Sequence, residues 1–251
     1  MSKLICGDAL NVLPTLPRAT MIFADPPDNL GLKYDGFKDN NPYYGGFLQR
    51  VVSKGERNSN IFWLSYYYRY QDAIWYNAVR HAYNPRQFIW RFTFGQHQHT
   101  DCGNGYRPIL RIMQPGAVLY PDAIRVESAR QKQGDKRADP RGRVPDDVWE
   151  FPRVCGNYIE RRKWHPNQHP EALIERIVKF STKPGDLVID MFAGTGTVNR
   201  VCARLGRECI GIEISRAYCD RIAAEQGLKV ENAGEARRAA KQPGPLLPCP
   251  F

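Results

Sequence analysis

A glycine-rich turn in the C-terminal third of the chain limits the possible folds more than any other feature. Residues 186–191 are mostly apolar and predict a buried strand, with Asp190 near its end. Gly194 and Gly196 mark a tight turn, and residues 195–205 have the apolar spacing of a helix. A strand that turns tightly into a helix is typical of a parallel sheet covered by helices.

The same alternation recurs along the chain and predicts an α/β fold with a doubly wound, mostly parallel sheet. Short apolar runs bounded by turn residues predict strands, and apolar residues three or four positions apart predict helices. The predicted strands are residues 3–7, 20–25, 60–65, 87–94, 117–120, 186–191 and 208–214. The predicted helices are residues 9–16, 47–54, 66–83, 171–180, 195–205 and 217–226.

The glycine turn differs from two common phosphate-binding motifs. No third glycine completes the dinucleotide fingerprint, and no Gly-Lys-Ser/Thr completes a P-loop. Glu213 lies near the end of the next predicted strand, where an acid can accept hydrogen bonds from ribose hydroxyls. We therefore predict a cofactor that carries a nucleoside without phosphates, of which S-adenosylmethionine is the common example. The alternative is an ordinary strand, turn and helix whose glycine only caps the helix.

A second signal near the N-terminus is the sequence Asp25-Pro26-Pro27-Asp28. The two prolines end the predicted strand 20–25 and fix the backbone just beyond Asp25. Because ligands bind at the carboxyl ends of the strands in such sheets, we expect Asp25 and the glycine turn to face one crevice.

Charge and composition indicate the environment and the kind of partner. The chain has 36 basic and 26 acidic residues and a net charge of +10, which favours a polyanionic partner. A basic protein without such a partner remains the alternative. Seven cysteines without a Cys-x-x-Cys pair predict a reducing cytoplasm and no metal site. No apolar run approaches the roughly 18 residues that a membrane span needs, and no signal peptide is apparent.

The regular pattern is interrupted in the middle of the chain. Residues 95–163 show little periodicity and are predicted to be an insert. On either side, residues 1–94 and 164–232 are predicted to form the two halves of one domain. The tail, residues 233–251, is rich in proline and glycine and is predicted to lack regular structure.

Together these features resemble the amino-group DNA methyltransferases, which modify adenine N6 or cytosine N4. The residues Asp25-Pro26-Pro27 resemble their catalytic motif, and the glycine turn resembles their cofactor motif. The catalytic motif comes first, which is the order of the β class and implies a circularly permuted methyltransferase fold. The segment His165-Pro166-Asn167-Gln168-His169-Pro170-Glu171 and the acid Asp8 also match. The implied cofactor contacts are Asp8, Asp25, His165, Asn167, Gln168, Asp190, Phe192, Ala193, Gly194, Thr195, Gly196, Thr197 and Glu213.

The resemblance also implies a chemistry. An exocyclic amine is a poor nucleophile because its lone pair is delocalised into the ring of the base. The Asp25 carboxylate and the Pro26 carbonyl would accept its N–H bonds and stabilise the developing positive charge, while Pro27 helps to hold them still. The base would first be flipped out of double-stranded DNA, which is the implied partner. A homodimer is one arrangement that would surround the duplex.

Asp28 departs from this family, which has an aromatic residue after the two prolines, yet we keep it among the candidate catalytic residues. An acid cannot stack on a base, so Tyr34, Phe37, Tyr43 and Tyr44 are the candidates for stacking. Three interpretations stay open. Asp28 points away while another aromatic stacks, it adapts the pocket to an unusual base or transferred group, or catalysis is impaired. Two neighbouring carboxylates are also expected to raise the pKa of one of them.

We predict an S-adenosylmethionine-dependent DNA methyltransferase that acts on adenine N6, because Asp at the first motif position is more usual for adenine and Ser for cytosine. The alternatives are cytosine N4, the same scaffold acting on RNA or a protein amide or transferring another group, and a non-catalytic DNA-binding protein. Residues 95–163 correspond to the family's target-recognition region. The candidate DNA contacts there are Arg125, Arg130, Lys132, Arg137, Arg141 and Arg143.

Overall fold

The structure is a computed structural model that describes residues 2–35, 37–79, 82–95 and 98–234. The predicted tail lies outside these residues from position 235 onward. The strands are β1 (Lys3–Cys6), β2 (Ala19–Ala24), β3 (Lys33–Tyr34), β4 (Phe37–Lys38), β5 (Ser59–Ser65), β6 (Arg86–Phe92), β7 (Tyr106–Met113), β8 (Val148–Phe151), β9 (Leu187–Asp190), β10 (Glu208–Glu213) and β11 (Lys229–Asn232). The α-helices are α1 (Ala9–Val12), α2 (Tyr44–Arg57), α3 (Gln71–Ile74), α4 (Ala129–Lys132), α5 (Glu171–Ser181), α6 (Thr197–Arg204) and α7 (Arg216–Gln226).

Nine of these strands form one sheet in the order β11-β1-β10-β9-β2-β5-β7-β6-β8. All neighbouring pairs are parallel except those on either side of β7, which runs antiparallel to both β5 and β6. The prediction of a mostly parallel, doubly wound sheet is therefore confirmed. Strand β2 lies directly beside β9, as expected from the two motifs. Strand β1 lies beside β10, which in turn lies beside β9.

Alternation along the central strands places a core on each face of the sheet. In β2, Ile22 packs in the cluster that includes helix α2, whereas Met21 and Phe23 pack in the cluster that includes α5 and α6. Trp63 lies fully buried on the second face and its indole N–H donates to Ser181. Because helices cover both faces, the polar groups of the central strands reach solvent only at the strand ends.

Two sequence-based expectations about the elements were wrong. Residues 117–120 are not a strand, and residues 66–83 do not form one helix. The latter segment breaks into a 3₁₀ turn (Tyr68–Tyr70), α3 and a π-helical turn (Trp75–Val79). Its aromatic residues serve core packing and a cavity wall, which overrides the helical pattern.

The predicted insert, residues 95–163, is not separate from the sheet. Strands β7 and β8 lie inside these bounds and pair with β5 and β6. The sequence did not reveal β7 because two arginines and Pro108 interrupt its apolar pattern. Both arginines, Arg107 and Arg111, are buried. The longest stretch of the insert without a strand of the sheet is residues 114–147, which holds only the short helix α4 and a 3₁₀ turn, Pro121–Ile124.

Candidate active site

The glycine turn lies at the carboxyl end of β9 and requires glycine at two positions. Gly194 and Gly196 have φ values of 52° and 69°, which side chains rarely adopt. A Cβ on Gly196 would also lie 2.5 Å from Gln226 Nε2 and 2.6 Å from Ile222. The Gly194 amide donates to Glu213 Oε2 at 2.9 Å, so the acid at the end of β10 helps to fix the turn.

Carboxylates from four neighbouring strand ends converge on a cavity beside this turn. Asp8 follows β1, Asp25 follows β2, Asp190 ends β9 and Glu213 ends β10. All the predicted cofactor contacts except Gly196 line this cavity. Asp8 also caps α1 by accepting from the Leu10 amide at 2.7 Å.

The chemistry of this donor set fits S-adenosylmethionine. The cofactor carries a cationic sulfonium and an ammonium group, which suit a cavity lined by acids, and ribose hydroxyls, which suit Glu213. Two Glu213 oxygens accept from the Gly194 and Ser215 amides, each at 2.9 Å, and a carboxylate oxygen can accept more than one hydrogen bond. Burial raises the pKa of Glu213.

Asp190 is the most strongly shifted acid of the cavity. Burial, and to a smaller extent the charges of Asp25 and Glu213, raise its pKa from 3.8 to about 8, although the Phe192 amide donates to it. Asp190 is therefore protonated near neutral pH in the free protein. A bound cation would favour its ionised form.

Replacing Asp190 by asparagine is expected to stabilise the protein more at pH 8 than at pH 5. Unfolded Asp190 loses its proton near pH 3.8, whereas the folded residue holds it up to about pH 8. Wild-type stability therefore falls as the pH rises through this window, by about 1.4 kcal/mol per unit at most. Thermal unfolding of both proteins at several pH values measures the difference. A difference that stays constant from pH 5 to pH 8 would contradict the assignment.

The four residues that were predicted to stack on the base do not lie together in the structure. Tyr34 and Phe37 belong to the β3–β4 hairpin and line the cofactor cavity. Tyr44 is buried and its hydroxyl donates to the Pro27 carbonyl, while Tyr43 is 82% exposed. The Asp39 carboxylate accepts three backbone N–H bonds, from residues 29, 30 and 32, and so shapes the segment that leads into the hairpin.

Asp25 lies in a network of charged and polar groups. His169 Nδ1 is 3.1 Å from Asp25 Oδ2, and Arg107 Nη2 donates to Asp25 Oδ1 at 2.8 Å. Burial alone would raise the pKa of Asp25, but His169 and Arg107 outweigh it and hold this pKa well below its usual range. Asp25 is therefore ionised over the whole range of pH in which such a protein would work.

Asp28 does not face solvent but binds the same arginine. Its two oxygens accept from Arg107 Nη1 and Nη2 at 2.8 and 2.7 Å, and its side chain is 8% exposed. The expectation that two neighbouring carboxylates raise one pKa is wrong for Asp25, because His169 and Arg107 lower the pKa of this residue, and the guanidinium of Arg107 contacts both acids.

Three residues of this network were missed in the sequence. Arg107 lies on the unrecognised strand β7, Ser65 ends β5, and His169 belongs to the segment that precedes α5. Ser65 Oγ accepts from Arg107 Nε at 2.6 Å and lies 2.9 Å from His169 Nε2. Only His169 had a signal, because it lies in the segment that resembles the family.

A second cavity lies beside the first, and the segment Asn167-Gln168-His169 lines both. Asp28, Arg107 and several aromatic side chains also line the second cavity. Arg153 and Arg161 contribute to its wall. Arg153 Nε and Arg161 Nη1 are buried without a hydrogen-bond partner. The aromatic lining residues are Tyr66, Tyr67, Tyr68, Trp90, Phe92 and Tyr106. Aromatic rings beside guanidinium groups are the chemistry that binds nucleotides.

Many basic residues of the predicted recognition region pair with nearby aspartates. Arg137 binds Asp135, Arg141 binds Asp139, Arg143 binds Asp146, and Arg125 binds Asp122. The side chain of Arg125 is mostly buried, whereas the other three arginines lie at the surface, where such pairs contribute little to stability. Arg130 and Lys132 both lie in helix α4 and are exposed.

Within residues 2–35, 37–79, 82–95 and 98–234, no helix is long and apolar enough to cross a membrane. The same part of the chain contains no group of three or more metal-binding side chains.

Comparison with known proteins identifies the family. A family model described as DNA methylase, N6_N4_Mtase, matches residues 19–225. The DNA adenine methyltransferase YhdJ of Escherichia coli K12 is 32% identical over 234 residues, covering 86% of this chain and 79% of YhdJ. The type II methyltransferase M.HpaI of Haemophilus parainfluenzae is 33% identical over 244 residues, covering 87% and 72%.

A solved structure shares the fold at lower sequence identity. M1.HpyAVI in complex with S-adenosylmethionine superposes with a TM-score of 0.63 at 20% identity, covering 91% of this chain and 100% of that chain. This likeness shows the fold, while the family model and the two relatives confirm the expected reaction class and, with it, the expected cofactor. The chain belongs to the N6_N4 DNA methylase family, the S-adenosylmethionine-dependent methyltransferases that modify an exocyclic amine of adenine or cytosine in DNA.

Proposed function

We propose that this protein methylates adenine N6 in double-stranded DNA, with Asp25 as the group that accepts the N–H bond of the target amine. The position of Asp25 carries this proposal. Its ionised carboxylate lines the cofactor cavity, while its partners Arg107 and His169 line the second cavity. An amine that enters from the second cavity would therefore meet Asp25 at the boundary between the two.

S-adenosylmethionine, when bound, supplies a methyl group activated by a sulfonium. The chain's own contribution is placement and charge. Asp25 accepts an N–H bond of the amine and stabilises the positive charge that develops on its nitrogen. The Pro26 carbonyl is the second acceptor, and the two prolines restrict its movement. Asp28 is committed to Arg107, so we do not assign it a direct contact with the amine.

The second cavity is the proposed site of the flipped base. Its aromatic wall takes over the stacking that the family obtains from the residue after the two prolines, because Asp28 stands at that position here. Tyr67, Trp90 and Tyr106 lie on this wall, whereas Tyr34, Phe37, Tyr43 and Tyr44 do not. This supports one half of the first interpretation, that another aromatic side chain stacks the base, but Asp28 does not point away, since it lines this cavity and binds Arg107.

Adenine is proposed as the target base on two grounds. The resemblance connects an aspartate at the first motif position more often with adenine than with cytosine. YhdJ, a similar protein along most of its length, is a DNA adenine methyltransferase. The family as a whole includes both bases, so a direct measurement has to decide between them.

Mass spectrometry of nucleosides from DNA of cells that express the protein tests the proposal. We expect N6-methyladenine with the wild type and none with Asp25→Ala, after both proteins are shown to be folded and to bind DNA. N4-methylcytosine would correct the base, and an adduct of another mass would correct the transferred group. No modified nucleoside from folded wild-type protein would refute the proposed activity.

We further propose that residues 114–147 bind DNA phosphates through the predicted basic side chains. Replacing Arg130 and Lys132 together by alanine is expected to weaken binding equally for different DNA sequences and to reduce the salt dependence by about two ion equivalents. The matched control is Lys229→Ala, which removes an exposed basic side chain on β11, at the opposite edge of the sheet from β8. Titrations of a fluorescent duplex at several salt concentrations measure the slope. An unchanged slope would exclude these two residues from the DNA interface.

A further inference from the structure

Arg107 connects two carboxylates that would otherwise repel each other. The end of its guanidinium forms two hydrogen bonds with Asp28, at 2.8 and 2.7 Å, while Nη2 also donates to Asp25 Oδ1 at 2.8 Å. Its Nε donates to Ser65 Oγ at 2.6 Å. Four of its five N–H groups are thus used, and this fixes the plane of the guanidinium.

The burial of this group makes its charge balance important. The side chains of Arg107 and Asp28 are 9% and 8% exposed, and that of Asp25 is 19% exposed. The guanidinium carries one positive charge and the two carboxylates carry two negative charges, so removing Arg107 leaves two buried acids without the cation that they share. With Asp28 present, two acids share the single positive charge of Arg107, which Asp25 alone would otherwise bind.

We propose that Arg107 is a positioning residue for the transfer reaction, that it holds the Asp25 carboxylate in its reactive orientation, and that Asp28 fixes Arg107 for this task. This inference rests on the proposed role of Asp25. Asp28 stands at the sequence position where the family has an aromatic residue, and Arg107 binds it there. In this proposal Asp28, which departs from the catalytic motif of the family, forms an ion pair with Arg107.

The bidentate contact with Asp28 also limits how many acceptor positions of the Asp25 carboxylate Arg107 can occupy. Only one N–H of Arg107 points to Asp25, and His169 contacts the other oxygen. Two oxygens provide about four acceptor positions, so Asp25 keeps capacity for the target amine. An arginine without Asp28 would be free to bind Asp25 in a two-pronged manner and to compete with the substrate.

Several other ionisable groups surround Asp25 and belong to any account of its titration. His169 and Arg107 favour its charged form, and burial opposes it. The remaining groups coupled to its charge are Tyr34, Tyr44, His165 and Asp190. These groups stay in place when Arg107 is replaced, so a change in the titration of Asp25 is attributable to Arg107.

The first experiment compares Arg107→Met with the matched variant Arg111→Met. Arg111 is also buried on β7, but it lies near the rings of Trp63, Phe88 and Phe180 instead of the two acids. We expect Arg107→Met to lower kcat roughly tenfold to hundredfold and to bring an acid limb into the pH profile, because Asp25 loses one of the two groups that keep it ionised over the working range of the wild type. The KM for the cofactor should stay within about twofold. Arg111→Met should leave the pH profile unchanged. A pH profile identical in wild type and Arg107→Met would overturn the inference.

A second set of variants separates positioning from a merely structural ion pair. Arg107→Lys keeps the positive charge but loses the planar guanidinium that forms two hydrogen bonds with Asp28. The pH profile should therefore stay near that of wild type at its acid end, while kcat still falls. The double variant Asp28→Leu/Arg107→Met should be more stable than Arg107→Met alone, because no buried acid is left at position 28 without its partner. Purely additive effects on stability would contradict the coupling.

Carbon-13 NMR of the Asp25 carboxyl group tests the inference without activity. The titration midpoint should lie higher in Arg107→Met than in wild type, and Arg111→Met should match wild type. If the wild type produces no modified base but the midpoint moves as expected, the proposed function fails and the control of Asp25 by Arg107 stands. If DNA is methylated but the midpoint does not move, the proposed function stands and this inference fails.

Discussion

Replacing Asp25 by asparagine is expected to lower kcat by about two to three orders of magnitude. Asparagine keeps the shape of the side chain but loses the negative charge that stabilises the methylated amine. Its Nδ2 group would also face either Arg107 or His169, both of which contact the Asp25 oxygens in the wild type. Single-turnover methyl transfer to a DNA duplex measures the chemical step. Cofactor affinity, measured by calorimetry, should change much less than kcat.

An exposed aspartate provides the control for this prediction. Asp220→Asn removes a carboxylate on α7 that binds Arg216 at the surface, and we expect no effect on methyl transfer. Thermal unfolding of Asp25→Asn shows whether its loss of activity comes from loss of the fold. A folded Asp25→Asn protein that transfers methyl groups at about the wild-type rate would show that the charge at position 25 is not needed.

Replacing Glu213 by alanine is expected to weaken cofactor binding about tenfold to hundredfold. The carboxylate accepts from the Gly194 and Ser215 amides, at 2.9 Å each, and lines the cofactor cavity. Alanine leaves both amides without this acceptor and removes the proposed partner of the ribose hydroxyls. The dissociation constant of S-adenosylmethionine, measured by calorimetry, gives the effect directly.

Two further variants define the origin of this effect. Glu208→Ala removes an exposed acid at the opposite end of the same strand, β10, and should bind the cofactor like wild type. Glu213→Gln keeps one carbonyl acceptor and should fall between wild type and alanine. Wild-type affinity in Glu213→Ala would show that the ribose is not bound at this strand end.

The Asp25, Asp28 and Arg107 group illustrates a trade between stability and specificity. Replacing a buried ion pair by well-packed apolar residues is often neutral or stabilising, so this group is not explained by stability alone. A fully hydrogen-bonded polar network does fix one arrangement of its members. Here that arrangement includes the Asp25 carboxylate, which lines the cofactor cavity, while Asp28 and Arg107 line the second cavity.

The local pattern was sufficient for the parts of the fold that depend on neighbouring residues. Strands β1, β2, β5, β6, β9 and β10 were recognised from short apolar runs, and α5, α6 and α7 from their spacing. Strand β7 was not recognised, because its two arginines are compatible with burial only through distant partners. For Arg107 these are Asp28 and Asp25, which lie 79 and 82 residues away in the sequence.

The sequence by itself determined the class of fold, the edge of the sheet that carries the site, and the acids Asp25, Asp190 and Glu213 placed there. Glycine turns, prolines and strand ends act over a few residues, so a linear pattern records them. Only the tertiary structure decided which cation lies between Asp25 and Asp28, and that the aromatic wall of the second cavity comes from β5, β6 and β7 and their connections. Those contacts join segments far apart in the chain, where desolvation and charge pairing in three dimensions choose the partners.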